Sequence, residues 1–91
     1  MNEYRDYDDL TWFATILGAH GIKGAVRVKF FTETPEYYLS VKSFLIENEG
    51  KLRNLNISRI LPSKDGWIIF FKEIDCREDA EKKKGCRLLL P

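Results

Sequence analysis

A chain of 91 residues leaves room for one domain, and a domain this short buries only about 60–65% of the surface that its unfolded form exposes. With 44% hydrophobic residues, 13% aromatic residues and a net charge of +1, the composition excludes a disordered segment, and no apolar run approaches the roughly 20 residues that span a bilayer. Two cysteines, Cys76 and Cys86, and a single histidine make neither a disulfide framework nor a structural zinc set, so the cysteines read as ordinary reduced residues of a cytoplasmic protein.

The near-neutral total hides an uneven distribution. Residues 1–9 carry Glu3, Asp6, Asp8 and Asp9 against Arg5 alone, which fits a flexible acidic lead-in; a secretory signal opens basic and continues apolar. The remaining residues hold fourteen bases and ten acids, and between His20 and Phe31 stand Lys23, Arg27 and Lys29 with no acid. A local basic patch on a near-neutral domain suits contact with an acidic surface such as RNA. Strong binding to any nucleic acid regardless of sequence asks for a more basic domain than this.

In chain order, the stretch from Leu10 to Leu17, rich in aromatic and β-branched residues, predicts a first strand. Gly18, Gly21 and Gly24 then break it, supplying backbone angles that other residues resist. Ala25 to Phe30 alternates, with Val26, Val28 and Phe30 on one face and Arg27 and Lys29 on the other, the pattern of a half-buried strand with a basic outer face. Thr34 and Pro35 suit the cap and first position of a short helical turn. Ser43 to Glu47 predicts a strand ended by Asn48-Glu49-Gly50, and Leu52 to Leu61 another, closed by Pro62. Lys64-Asp65-Gly66 signals a hairpin into Trp67 to Phe71, which is apolar on both faces, so either Trp67 and Phe71 or Ile68 and Phe70 point outward. Asp75 with Glu78 forms a capping box for a helix continued by Ala80 and Lys82 to Lys84 and stopped at Gly85. Arg87 to Leu90 is a last strand. Six strands with turn signals at this spacing suggest a closed barrel.

The G-x-x-G-x-x-G spacing of the glycine loop is not that of a dinucleotide site, and the loop opens a strand, where a phosphate-cradling loop opens a helix. A glycine-rich hairpin needing positive φ angles accounts for the glycines alone; the bases around them point to a displayed contact surface. His20 is the sole candidate base at neutral pH, and nothing in the sequence brings a cysteine nucleophile to it. The carboxylates Glu78, Asp79 and Glu81 read as a solvated helix face. Aromatic side chains that stack on RNA bases sit exposed on a strand face beside basic residues. Trp12, Phe13, Trp67, Phe70 and Phe71 lie in apolar runs, which assigns most of them to the core. No catalytic, cofactor-binding or metal residue is expected. The candidate partner-binding residues are His20, Gly21, Lys23, Gly24, Arg27 and Lys29.

The segment Gly18-Ala19-His20-Gly21-Ile22-Lys23-Gly24-Ala25-Val26-Arg27-Val28 resembles the RimM family of ribosome maturation factors, in which a strand leads into G-x-H-G-x-x-G-x-x-R. Thr32-Glu33-Thr34-Pro35-Glu36 is similar to the turn after that family's second strand. Ile74-Asp75-Cys76-Arg77-Glu78-Asp79-Ala80 is similar to its G-I-D-D-R-E-x-A segment, although Glu73 and Cys76 stand where Gly and Asp are usual. The similarity runs in order over residues 12–91. It implies an all-β fold, a six-stranded antiparallel barrel like those of translation factors, with one short helix before the last strand. It places the barrel at 10–91 after the lead-in at 1–9, without the family's second, PRC-type barrel. With no ligand constellation and no bilayer-spanning run, a monomer without cofactor or membrane contact is expected. The resemblance implies that this monomer acts late in assembly of the small-subunit head and in rRNA processing. Its implied partners are the small-subunit precursor, a head ribosomal protein (the nineteenth of the small-subunit series) and nearby rRNA. Two competing readings belong to other classes: a general RNA-binding barrel of the kind found in translational GTPases, and a flavin-binding reductase barrel, which has a similar strand layout.

Overall fold

The computed structural model describes residues 9–31, 36–64 and 66–91. Strands β1 (Thr11–His20) and β2 (Ala25–Phe30) form a hairpin, followed by a one-turn helix α1 (Glu36–Leu39). Strands β3 (Ser43–Asn48), β4 (Lys51–Ser63) and β5 (Gly66–Phe71) form a meander, and helix α2 (Arg77–Glu81) precedes β6 (Arg87–Leu90). The strands close antiparallel in the order β1-β2-β5-β4-β3-β6, so that no ladder edge is left open. The barrel is the one expected, with α1 as a second helix. The lead-in through Asp8, the turn at Thr32 to Pro35 and Asp65 of the hairpin signal lie outside the described residues. Among the described residues no helix is long and apolar enough to cross a membrane.

The barrel interior is filled by inward side chains from every strand. Ile16, Val26, Val28, Phe44, Leu55, Ile69 and Leu88 are all but inaccessible. On β2 the alternation holds as read: Val26 and Val28 are buried while Arg27 and Lys29 are exposed. On β5, Ile69 pairs with the inward Val26 and Ile68 with the outward Arg27, so Ile69 and Phe71 enter the core and Ile68 and Phe70 take the outer face. A satellite cluster of Leu10, Leu45 and Leu89, with Leu52 against it, sits apart from this core.

Several boundaries depart from the sequence reading, each for a physical reason. β1 does not end at Leu17; it runs through Gly18 to His20, and bulges between Trp12 and Ala14 and between Ile16 and Gly18 absorb the change of register. Pro62 does not close β4 but pairs with Trp67 within it. β4 pairs with β3 only as far as Asn56, so the missing proline N–H faces no second strand. At that handover Glu73 accepts hydrogen bonds from the Asn56 backbone N–H at 2.8 Å and from its side-chain amide at 2.7 Å. Partial burial alone would raise the Glu73 carboxyl, but these two bonds, with Arg53 nearby, hold it below its ordinary value.

The helix cap is corrected too. Cys76, not Asp75, occupies the N-cap, with φ −144° and ψ 159°, and no side chain bonds the first turn. The buried Ile74 and Ala80 fix the helix phase, and the backbone at 74–76 is held against Gly24, which places the first intrahelical bond at Ala80 N–H to Cys76 O, 3.1 Å. The helix ends at Glu81, and Lys82 to Lys84 lie in the following turn rather than extending it.

Candidate functional site

The β1–β2 hairpin turns through Gly21 to Gly24, with Gly21 at φ +70° and Gly24 at φ +91°, the left-handed region where a side chain is strained. At Gly24 glycine has a second reason. A Cβ there would lie 2.7 Å from both Cys76 N and Ile74 O, so the end of the hairpin and the chain entering α2 pack backbone to backbone. From the same helix the Arg77 Nη1 donates to the Gly21 carbonyl at 2.9 Å. The loop is thus braced at both ends while Ile22, 79% exposed, and Lys23 project from its tip.

Gly18 makes a bed for Arg27, its cross-strand partner. A Cβ on Gly18 would stand 2.9 Å from Arg27 Nη2, and Arg27 Nε reaches towards the Ala19 carbonyl at 3.5 Å. The guanidinium therefore reaches over the bulged part of β1 with one nitrogen towards Gly18, exposed but guided. Two shallow grooves meet at it. One, of about 260 Å³, is lined by Gly18, Ala19, Arg27, Arg77, Glu81 and Lys84. It gathers three bases and one acid, and that acid already faces Arg77, Glu81 Oε2 standing 3.5 Å from Arg77 Nε. The other, of about 250 Å³, runs past His20, Arg27 and Lys64 to the apolar Leu17, Trp67 and Ile68.

Of the six residues singled out in the sequence, Arg27 and His20 come together beside one groove, with Gly21 behind them bound to Arg77. Lys23 stands apart at the loop tip. Gly24 is buried and meets the chain's own backbone. Lys29 shares the outer face of β2 with Arg27 but pairs with Thr15, further along β1 and away from both grooves. Sequence reasoning missed Arg77 and Lys84. Both were legible only as parts of a helix, and what adds them to the site is the packing of α2 on β1 and β2.

The surface is suited to binding. Among the described residues no polar or charged side chain is buried, so the charged groups act across open solvent on whatever covers them. Two fork-shaped guanidiniums and an ammonium around one groove fit phosphate or carboxylate oxygens. Near the loop, Asp75, Cys76 and Asp79 bring one potential ligand atom each within 4.8 Å of one another. Three such donors are one fewer than a closed structural zinc site uses.

The comparisons with known proteins agree with the barrel fold. The RimM N-terminal domain family matches residues 12–91. The chain is 34% identical over 84 residues to ribosome maturation factor RimM of Zymomonas mobilis, covering 92% of this chain and 49% of that protein. It is 37% identical over 83 residues to ribosome maturation factor RimM of Chlorobium phaeobacteroides, covering 90% and 50%. A crystal structure of a RimM protein from Pseudomonas aeruginosa superposes with a TM-score of 0.83 at 25% identity, over 91% of this chain and 51% of that one. The chain spans about half the length of the curated relatives it matches.

Proposed function

The chain belongs to the RimM family, and on that premise we propose that it is the ribosome-binding barrel of a maturation factor for the small ribosomal subunit. It acts by binding, without catalysis. Its targets are the precursor of the small subunit at the head, where it contacts the nineteenth small-subunit protein and nearby rRNA during late assembly and rRNA processing. The working unit is the barrel of residues 10–91, behind a lead-in at 1–9, acting as a monomer in the cytoplasm. The contact surface is built from His20, Gly21, Lys23 and Arg27, extended by Arg77 and Lys84; of the other residues singled out, Gly24 anchors the loop from inside and Lys29 stands away from the grooves. The observation that carries this reading is the groove in which Arg27, Arg77 and Lys84 converge beside the braced glycine loop. A partner with clustered phosphates or carboxylates supplies the charge that Glu81 alone does not.

Co-sedimentation with small subunits tests the reading. The chain is expected to pellet with immature subunits and to remain in the supernatant with mature ones. Equal recovery with both, or with neither, contradicts a maturation role.

A further inference from the structure

On the outer wall of the barrel, away from the two grooves, an aromatic pair stands in the open. Trp12 is 44% exposed and Phe31 51% exposed, with ring centroids 5.0 Å apart and planes at 83°. The indole is held in place before any partner arrives. Its Nε1 donates to the Ala14 carbonyl at 2.9 Å and to Thr15 Oγ1 at 3.1 Å, and the Arg87 guanidinium covers one face of the ring, 4.2 Å from its centroid, so any stacking partner takes the ring surface that Arg87 leaves free. Glu47 steadies that guanidinium from the neighbouring strand, with Oε1 3.9 Å from Arg87 Nε. The register lays these groups in one row across four strands: Glu47 opposite Arg87, Arg87 opposite Thr15, Thr15 opposite Lys29. Lys29 is exposed and has no ion-pair partner among the described residues.

We propose that this patch is a stacking platform for single-stranded RNA: an unpaired base stacks on the exposed ring surface of Trp12 and Phe31, and Arg87 and Lys29 take the phosphates beside it. Exposed aromatic rings flanked by bases on a strand face are the arrangement that binds unpaired nucleotides, since every base offers a π-face and every linkage a negative charge. A paired duplex keeps its base faces stacked inside and offers the rings nothing. Immobilising the indole beforehand lowers the ordering cost of binding. The platform goes beyond the function proposed above, because it uses a surface distinct from the Arg27 grooves and reads a local feature of RNA rather than the charge of a large particle.

The test uses the full chain, hexauridylate as the single-stranded probe and a short blunt RNA duplex as comparator, at low ionic strength, where exposed charges are least screened. With Trp67→Phe leaving Trp12 as the only indole, hexauridylate is expected to quench the emission to saturation, and the duplex to bind several-fold more weakly. By fluorescence anisotropy of a labelled probe, Trp12→Ala and Phe31→Leu should each lose affinity on the order of ten-fold, while Lys72→Ala, at an exposed position in the turn after β5, keeps wild-type affinity within about two-fold. Phe31→Leu preserves apolar bulk, so its loss reports stacking rather than folding. Absence of quenching, equal binding of single strand and duplex, or unchanged affinity in both aromatic variants overturns the platform. So does a concentration-dependent dimer of the free chain that Trp12→Ala dissolves, which would give the patch to a second copy. Failure of the chain to recognise immature subunits, with hexauridylate binding intact, would remove the maturation role and leave the platform standing.

Discussion

The guanidinium of Arg77 and the carbonyl of Gly21, 56 residues apart in sequence, meet at 2.9 Å. The bond ties the short helix before the last strand to the first hairpin. It also sets a charge beside Arg27, where the strand pattern alone places only β-hairpin residues. The same contact region includes the close approach of Gly24 to the backbone of residues 74–76. Hairpin and helix thus form one rigid corner of the barrel, and the groove is a property of that corner.

The corner gives a contrast between two glycines. Gly21 and Gly24 both have positive φ, but a Cβ on Gly21 meets nothing within 4 Å, whereas one on Gly24 meets backbone atoms at 2.7 Å. Gly21→Ala is expected to cost about 1–2 kcal/mol, the strain of the left-handed conformation alone. Gly24→Ala should cost at least ~2 kcal/mol more, because the backbone it strikes has no flexible end to move. Urea denaturation of both variants checks the difference, and equal midpoints would mean that α2 does not press on the hairpin.

At the start of α2 the N-cap side chain is a thiol, which makes no capping hydrogen bond. The resembling family segment has an aspartate at that place, a good acceptor. Cys76→Ser is expected to stabilise the protein by about 0.5–1 kcal/mol by giving the first turn an oxygen acceptor without adding a third carboxylate next to Asp75 and Asp79. Asp75→Ala, one residue before the cap, should change stability by less than ~0.5 kcal/mol. A thermal melt that ranks the two variants the other way round would return the cap to Asp75.

The Glu73 carboxylate, held below the ordinary value near 4.5, predicts an acid-side loss of stability. Its folded pKa lies below its unfolded one, so its contribution is fully present above the unfolded value and disappears as pH falls through the folded value. Glu73→Ala removes the clamp on Asn56. The wild type should be more stable than the variant at neutral pH, and the gap should shrink as pH drops below about 4.5. Unfolding midpoints measured from pH 7 downward show this; a gap constant with pH would remove the carboxylate from the clamp.

The two thiols should separate by reactivity. Cys86 is buried, and burial pushes its thiol up despite the opposing charge of Lys83, so little thiolate is present at neutral pH. Cys76 is only half-buried. Native protein treated with a thiol reagent should label quickly at Cys76 and slowly at Cys86, with both reacting alike once unfolded. Mass mapping of the labelled peptides decides it, and fast native labelling of Cys86 would contradict its burial just before β6.

Much of the architecture was legible because local rules and tertiary structure agree. The alternation of Val26, Arg27, Val28 and Lys29 survives intact, and the glycines at 21 and 24 do bound the turn of the first hairpin, while Gly18 lies within β1. Legibility fails where the ladder is irregular. The bulge between Trp12 and Ala14 buries both Phe13 and Ala14, so period-two counting cannot say that Trp12 faces out. Pro62 reads as a terminator because its unpaired side depends on β4 changing partners near Asn56. Arg77 and Lys84 join the site through a contact between segments distant in sequence, which no periodicity encodes. The overall match to the family was readable from the glycine segment; the composition of the groove was not.

Whether the groove at Arg27 binds the small-subunit precursor is decided by the double variant Arg27→Ala/Lys84→Ala. Both side chains are exposed, so the thermal midpoint should hardly move. Affinity for immature small subunits, measured by sedimentation over a salt series, is expected to fall about thirty-fold at low salt, each of the two lost charge-assisted contacts contributing on the order of 1 kcal/mol. The wild type should weaken more steeply than the variant as salt rises. Equal affinity and equal salt dependence of the two proteins would show that the groove is solvated surface and that the precursor is held elsewhere.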